Sequence, residues 1–136
     1  MVASPGGRLS TRLRPVTNAA LQDYIDEQVE EDASTENARR SLRQLLEDLP
    51  VPETFPAYAD LRTDALGNVW AQDFLAPGED TPQWTIFSPD GHVLGRIGTP
   101  PRTRVLEIGT DYLLTRYVDE MDVEFVRLYA LQRPAF

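Results

Sequence analysis

The chain has 136 residues, enough for one domain, and its formal net charge of −9 disfavours nucleic acid as a partner, because phosphate binding needs a basic surface. It contains no cysteine and one histidine, which excludes disulfides, thiolate zinc sites and multi-histidine metal sites within the chain. No apolar run approaches the ~20 residues of a membrane span. The first residues carry no apolar signal-peptide core, so export would need a segment upstream of Met1, and the compartment is left open.

The N-terminal residues 1–15 are predicted to form a tail followed by a short strand. The tail contains serine, proline and glycine without any periodicity. Leu9, Thr11 and Leu13 then alternate with polar residues, which is typical of a short exposed strand. Pro15 ends the pattern.

Residues 16–50 are predicted to form an acidic helical hairpin. Thr17 or Asn18 provides an N-cap for the first helix, and the segment from Asp32 to Thr35 separates it from the second. Apolar residues recur at helical spacing in both arms: Leu21, Tyr24, Ile25 and Val29, then Ala38, Leu42, Leu45, Leu46 and Leu49. Pro50 stops the second helix. We expect the apolar stripes to pack on the following sheet; the alternative is an arm whose charged outer faces bind a partner.

Residues 51–136 change to a period of two and predict an antiparallel β-meander. Two turn sequences, Asp64-Ala-Leu-Gly-Asn-Val-Trp70 and Ser88-Pro-Asp-Gly-His-Val-Leu94, place glycine where a tight turn requires a positive φ. The predicted strands span 58–63, 68–74, 83–88, 92–98, 104–108, 112–118 and 123–132. Glycine, proline and aspartate fill the connections at hairpin spacing.

The strands also repeat at a longer interval. Trp84-Thr-Ile-Phe87 matches Val126-Arg-Leu-Tyr129 in residue type 42 residues later, and Val69-Trp70 matches Leu113-Leu114 at an interval of 44. An interval of ~40–45 residues that holds four short antiparallel strands has the size of one β-propeller blade. The pattern therefore predicts one full blade and about three-quarters of another.

These motifs resemble the blades of six-bladed β-propellers of the NHL-repeat-like kind. The resemblance rests on Asp64-x-x-Gly-Asn-Val-Trp70 followed by Trp84-Thr-Ile-Phe-Ser-Pro-Asp-Gly-His-Val-Leu94, and it covers about residues 50–132. It implies a mainly β chain in which an N-terminal helical hairpin precedes an antiparallel meander of about two propeller blades. Such a ring needs six blades, so the chain is expected to be the C-terminal part of a longer protein, or a truncated product. Alone, it would expose sheet edges that favour self-association.

The residue pattern predicts no catalytic, cofactor-binding or metal site. His92 follows a hairpin turn and has no nucleophile beside it in sequence. The carboxylates lie mostly in predicted turns, and the acidic run Asp119–Asp122 is interpreted as a hairpin turn rather than a cation site. Gly91, Gly95 and Gly98 match neither a Rossmann loop nor a phosphate loop. The large aromatic residues at strand positions are expected to fill the core.

The predicted function is that of a non-enzymatic β-propeller segment that serves as a binding or scaffold platform for a protein or a small ligand. The candidate ligand-face residues are Asp60, Arg62, Arg102 and Asp111. They are selected because charged residues at strand entries lie nearest the loops of such a face. One alternative is a fragment of a propeller enzyme, a lyase or hydrolase, whose metal or catalytic residues lie mostly in other blades. Another is a structural module whose helical hairpin docks a partner helix.

Overall fold

A computed structural model describes residues 12–133. Within this range two helices are followed by seven β-strands, which confirms a mainly β chain with an N-terminal helical hairpin. The described chain divides into a helical unit of residues 12–57 and 75–79 and a sheet unit of residues 58–74 and 80–133. The predicted N-terminal tail and most of the short strand before Pro15 lie outside the described residues.

The two helices begin where the sequence places their caps. α1 spans Asn18–Asp32 and α2 spans Glu36–Glu47. The hydroxyl oxygen of Thr17 accepts a hydrogen bond from the amide three residues later at 3.1 Å, and the hydroxyl oxygen of Thr35 does the same at 3.2 Å. Each threonine thereby satisfies one of the amide groups that the start of a helix leaves without a partner.

Two ion pairs connect α1 to α2. Arg43 Nη2 lies 2.6 Å from Asp26 Oδ1, and Arg39 Nη2 lies 3.7 Å from Glu30 Oε2. Both pairs are largely exposed to solvent, so each adds little stability by itself. Both arginines lie on the side of α2 that faces α1.

The apolar stripe of α2 is only partly buried. Leu42 and Leu46 are half-buried, whereas Leu45 is 60% exposed and Leu49 is 51% exposed. The role of this stripe, as a contact with the sheets or with a partner, stays a prediction.

The strands form two antiparallel meanders, sheet 1 with the order β1-β2-β3-β4 and sheet 2 with the order β5-β6-β7. The strand bounds are β1 Tyr58–Thr63, β2 Val69–Asp73, β3 Gln83–Phe87, β4 Val93–Gly98, β5 Thr103–Ile108, β6 Tyr112–Val118 and β7 Glu124–Ala130. Every strand predicted within residues 51–136 is therefore present, with ends shifted by two residues at most. Their arrangement as propeller blades stays a prediction.

Three hairpins use the same five-residue turn. The turns are Asp64–Asn68, Ser88–His92 and Asp119–Val123. In each, the amide of the first residue donates to the carbonyl of the fifth, and the amide of the fourth donates to the carbonyl of the first. The fourth residue has a positive φ, +81° at Gly67, +88° at Gly91 and +59° at Asp122. The first residue is Asp or Ser, and its side-chain oxygen also accepts the amide of the fifth, which closes the turn.

The core of the sheet unit lies between sheet 1 and sheet 2. Trp70 on β2 and Trp84 on β3 are almost fully buried there, with ring centroids 6.4 Å apart in an edge-to-face arrangement. Sheet 2 contributes Val105, Ile108 and Leu113 to the same cluster. Both indole N–H groups donate hydrogen bonds, so neither ring buries an unpaired donor.

The variant Gly67→Ala is expected to lower the free energy of unfolding by about 1 kcal/mol, because a residue with a Cβ disfavours a φ of +81°. The added Cβ would meet only Pro89 Cγ at 3.8 Å, an ordinary contact, so the effect isolates the backbone conformation. Urea denaturation measures it. Gly95→Ala is the matched control, since a Cβ on that β4 residue meets nothing within 4 Å. Equal stability of the two variants would show that the turn does not need glycine.

Candidate functional site

The carboxylate of Asp64, whose side chain is fully buried, lies at one end of the sheet unit. Asp64 begins the β1–β2 turn, and its Oδ1 accepts the amides of Leu66 and Asn68, each at 2.9 Å. Its Oδ2 accepts from the Asn68 side chain at 3.0 Å, from Trp70 Nε1 at 3.1 Å and from Arg133 Nη2 at 2.9 Å. Five donors thus surround one carboxylate, which is the condition for burying its charge. We name the side chains of Asp64, Asn68, Trp70 and Arg133 the Asp64 cluster.

Burial and hydrogen bonding act in opposite directions on the pKa of Asp64. Desolvation by burial raises the pKa, whereas hydrogen bonds from Trp70, from the backbone and side chain of Asn68 and from Arg133 favour the charged form. Together they lower the pKa from 3.8 to about 2. Asp64 is therefore ionised near neutral pH and is a structural anion.

Arg133 connects three segments of the sheet unit through its guanidinium group. In addition to its bond to the Asp64 carboxylate, it donates to the carbonyl oxygens of Gly109 at 2.9 Å and Thr110 at 2.8 Å, at the β5–β6 turn. The β1–β2 turn, the β5–β6 turn and the chain after β7 are thereby held together. Sequence analysis did not identify Arg133, because no local pattern marks an arginine near the chain end as the partner of a distant turn.

A groove of about 660 Å³, the β1–β5 groove, runs beside the Asp64 cluster. At one end of the groove the β1–β2 turn meets the last residue of β5, where the Ala65 amide donates to the Ile108 carbonyl at 3.1 Å. The lining is mostly apolar and includes Leu61, Val69, Leu106 and Ile108. Arg62 on β1 and Glu107 on β5 add one charge of each sign.

Arg62 and Glu107, the two charged groove residues outside the Asp64 cluster, are oriented by neighbouring side chains. Arg62 Nε lies 3.1 Å from Asp60 Oδ2. The Tyr112 hydroxyl donates to the Glu107 carboxylate, and this hydrogen bond, with the negative charge beside it, raises the pKa of Tyr112. Since Arg62 is half-buried and Glu107 is exposed, a bound ligand can reach both charges.

The structure separates the four candidate ligand-face residues. Asp60 and Arg62 form their ion pair on β1, beside the groove. Asp111 lies in the β5–β6 turn. Arg102 precedes β5 at the opposite end of sheet 2, where its Nη2 is 3.6 Å from Asp122 Oδ1. One strand length, roughly 20 Å, separates Arg102 from Asp111, so these two cannot share a small-ligand site. The role of each residue in ligand binding stays a prediction.

Residues 12–133 contain neither a side-chain cluster placed to hold a metal ion nor a helix able to span a membrane. In that range no group of three His, Cys, Asp or Glu side chains is placed to hold a metal ion. His92 is exposed in the β3–β4 turn, where its backbone amide donates to Ser88 Oγ at 3.1 Å. Neither described helix is long and apolar enough to cross a membrane.

No protein-family model, no curated protein and no solved structure matches this chain. Its function is therefore inferred from its own residues and geometry.

The variant Asp64→Asn is expected to lower the free energy of unfolding near neutral pH by about 3 kcal/mol, because it removes the buried charge that faces Arg133. The pH dependence should change as well. Since the folded-state pKa of about 2 lies below the usual 3.8, ionised Asp64 stabilises the fold fully above about pH 5 and loses this effect as the pH falls towards 2. Across that range the wild type should lose about 2 kcal/mol more than Asp64→Asn in urea denaturation.

Asp119→Asn is the matched control, because Asp119 occupies the same turn position without the buried cluster. Its Oδ1 alone accepts the amides of Met121 and Val123, at 2.8 and 2.9 Å, and an amide oxygen can accept both. A loss below about 1 kcal/mol is expected for this control. Parallel pH profiles for the wild type and Asp64→Asn would show that the Asp64 charge does not stabilise the fold.

Proposed function

We propose that the chain is a non-enzymatic β-propeller segment that acts as a binding or scaffold platform, with the β1–β5 groove as its ligand site. The observation that carries the proposal is the groove, a mostly apolar concavity of about 660 Å³ beside the Asp64 cluster. Concave, largely apolar surfaces with a few fixed polar groups are typical of binding sites. Because the cluster fixes the turns at one end of both strands, the ligand meets a preformed site and less conformational freedom is lost on binding.

Three features support a propeller-type arrangement of the two sheets. Each sheet is an antiparallel meander, and the turn after β1 meets the end of β5 in the Ala65–Ile108 hydrogen bond. Their faces pack over Trp70 and Trp84. Consecutive blades of a propeller are small antiparallel sheets set around a central channel. In this arrangement the β1–β5 groove opens towards that channel.

The chemistry of the groove supports binding rather than catalysis. Asp64 is its buried acid, and its pKa of about 2 makes it a poor proton donor or acceptor near neutral pH. Both of its oxygens are already engaged by protein donors. Arg62 is paired with Asp60, and the Tyr112 hydroxyl is bonded to Glu107.

The groove fits an extended peptide segment of a partner protein. Within residues 12–133, β1 pairs with β2 alone and β5 pairs with β6 alone, so each strand has one edge without a neighbouring strand. An extended peptide can pair with such an edge and place alternate side chains in the concavity. Arg62 and Glu107 then favour peptides with a complementary charge at each side.

Selection from a random-peptide library displayed on phage tests the groove as a ligand site. Peptides that bind the wild type are expected to bind Leu106→Asp at least about tenfold more weakly, because the variant places a charge in the apolar lining. Fluorescence anisotropy with the selected peptides measures the affinities. Met121→Asp is the control, since Met121 is 84% exposed in the β6–β7 turn. Peptides that bind all three proteins equally, or a library that yields none, would remove the groove as the site.

The variant Arg62→Ala is expected to weaken binding of the selected peptides about tenfold, because a charged hydrogen bond to the ligand is lost. Arg102→Ala is the matched control, since Arg102 lies at the far end of sheet 2 and is also paired with an aspartate. Isothermal titration with the same peptides measures both affinities. An equal loss in both variants would point to general electrostatic attraction instead of a contact in the groove.

A further inference from the structure

Sheet 2 carries an apolar patch on the face that points away from sheet 1. Leu114 on β6 and Val126 and Leu128 on β7 alternate with Leu113 and Tyr129, which pack in the core. The register places Leu114 directly opposite Leu128, so the three residues form one patch. Val126 is 72% exposed and Leu128 is 67% exposed. We name this patch the outer face of sheet 2; contiguous apolar surface of this kind is a typical interaction site.

The internal repeat relates this patch to a face of sheet 1. The intervals of 42 and 44 residues match three residues of sheet 1 to the three residues of the patch. The pairs are Trp70 with Leu114, Trp84 with Val126, and Ile86 with Leu128. All three members in sheet 1 pack in the core against sheet 2. The outer face of sheet 2 is therefore the equivalent of the face that sheet 1 uses to bind sheet 2.

The face of sheet 1 that points away from sheet 2 corresponds, by the same repeat, to the face of sheet 2 that packs in the core. Leu61 pairs with Ala71, and Val69 with Phe87, on the face that points away from sheet 2. The same intervals match Leu61 with Val105, Val69 with Leu113, and Phe87 with Tyr129, and these three members of sheet 2 pack in the core against sheet 1. We name this side the outer face of sheet 1. Leu61 and Val69 also line the β1–β5 groove. Leu61 is 63% exposed, whereas Val69 and Phe87 are half-buried.

Each end of the two-sheet stack thus carries one half of the interface that already exists in its middle. We propose that the outer face of sheet 2 in one copy of the chain packs against the outer face of sheet 1 in a second copy, and that three copies close into a ring. Such an interface is head-to-tail, and it forms a ring when its rotation closes. The number three rests on the proposed propeller function, because three copies supply the six sheets of the resemblance.

The charge distribution favours this contact over one through the helical unit. Residues 16–50 contain nine acidic residues and three arginines, so they carry most of the net charge of −9. Four charged residues border the outer face of sheet 2, and their charges cancel. Arg116 pairs with Glu124, with 3.3 Å between Nη2 and Oε1, and the register places Arg104 and Glu107 on the same side of the sheet. Repulsion between copies therefore comes mainly from the helical unit, and added salt screens it.

Light scattering on the 136-residue chain after size exclusion tests the proposal. At about 100 μM the wild type is expected at three times the chain mass of 15.3 kDa, with the trimer fraction rising as salt is added. Val126→Asp and Leu61→Asp are each expected to be monomeric, while Met121→Asp stays trimeric. Because all three positions are exposed, urea denaturation should give all three variants the same fold stability at low concentration, and circular dichroism verifies that each is folded.

Mixing the two monomeric variants separates a head-to-tail contact from a symmetric one. Val126→Asp retains an intact sheet 1 face and Leu61→Asp an intact sheet 2 face, so the mixture is expected to form a complex of two chains that cannot grow. A mixture that stays monomeric would overturn the proposal. So would a wild type that is monomeric, or one that is dimeric through β7 pairing at the sheet edge.

Different experimental outcomes would rule out the ring and the ligand site. A monomeric wild type that still binds the selected peptides in the β1–β5 groove removes the ring and leaves the binding function in place. Leu61 and Val69 belong to both surfaces, so the second outcome is read at low concentration, where the chain is monomeric. A wild type that forms the trimer at high concentration but binds no library peptide as a monomer leaves the ring and removes the groove.

Discussion

The buried negative charge of Asp64 is the constraint on which the sheet unit depends. A carboxylate removed from water is stable only where protein donors replace the lost solvent. Here the donors come from the β1–β2 turn, from β2 and from the chain after β7. No single hairpin can supply them all. Four of the five donors lie in the β1–β2 hairpin and the fifth is Arg133, so the set is complete only when the chain after β7 has reached its correct position. This requirement couples local turn formation to tertiary structure.

The same network explains why the groove has a fixed shape. Its walls, β1 and β5, are each paired on one side only within residues 12–133, and strands of this kind are often the first to open. Arg133 prevents this at one end, because it bonds the turns that follow both strands. The Ala65–Ile108 hydrogen bond then sets the distance between the walls. The apolar lining is therefore presented to solvent without the collapse that would otherwise hide it.

Local structure could be predicted from sequence because its causes are local. Gly67 and Gly91 supply the positive φ of two turns, and the alternation of apolar and polar residues indicates the strands between the turns. The partners of the turns could not be predicted, since Arg133 meets Asp64 only after both sheets have packed. In sequence, Arg102 and Asp111 are both charged residues next to a strand. A meander places successive turns at opposite ends of its sheet, so the structure separates the two by the length of β5. How the two sheets would pack in a larger assembly depends on which of their faces meet. The spacing of the repeats indicates only which residues could form those faces.

Both tryptophans of the chain lie in the core between the sheets, and the helical unit has none. Tryptophan fluorescence, excited at a wavelength that tyrosine does not absorb, therefore originates entirely from the sheet unit, and its emission wavelength reflects rings shielded from water. Far-UV ellipticity is dominated by α1 and α2, which belong to the other unit. The molecule thus carries a separate optical signal for each unit. An unlabelled sample heated in a spectrometer shows directly whether the two melt in one transition or in two.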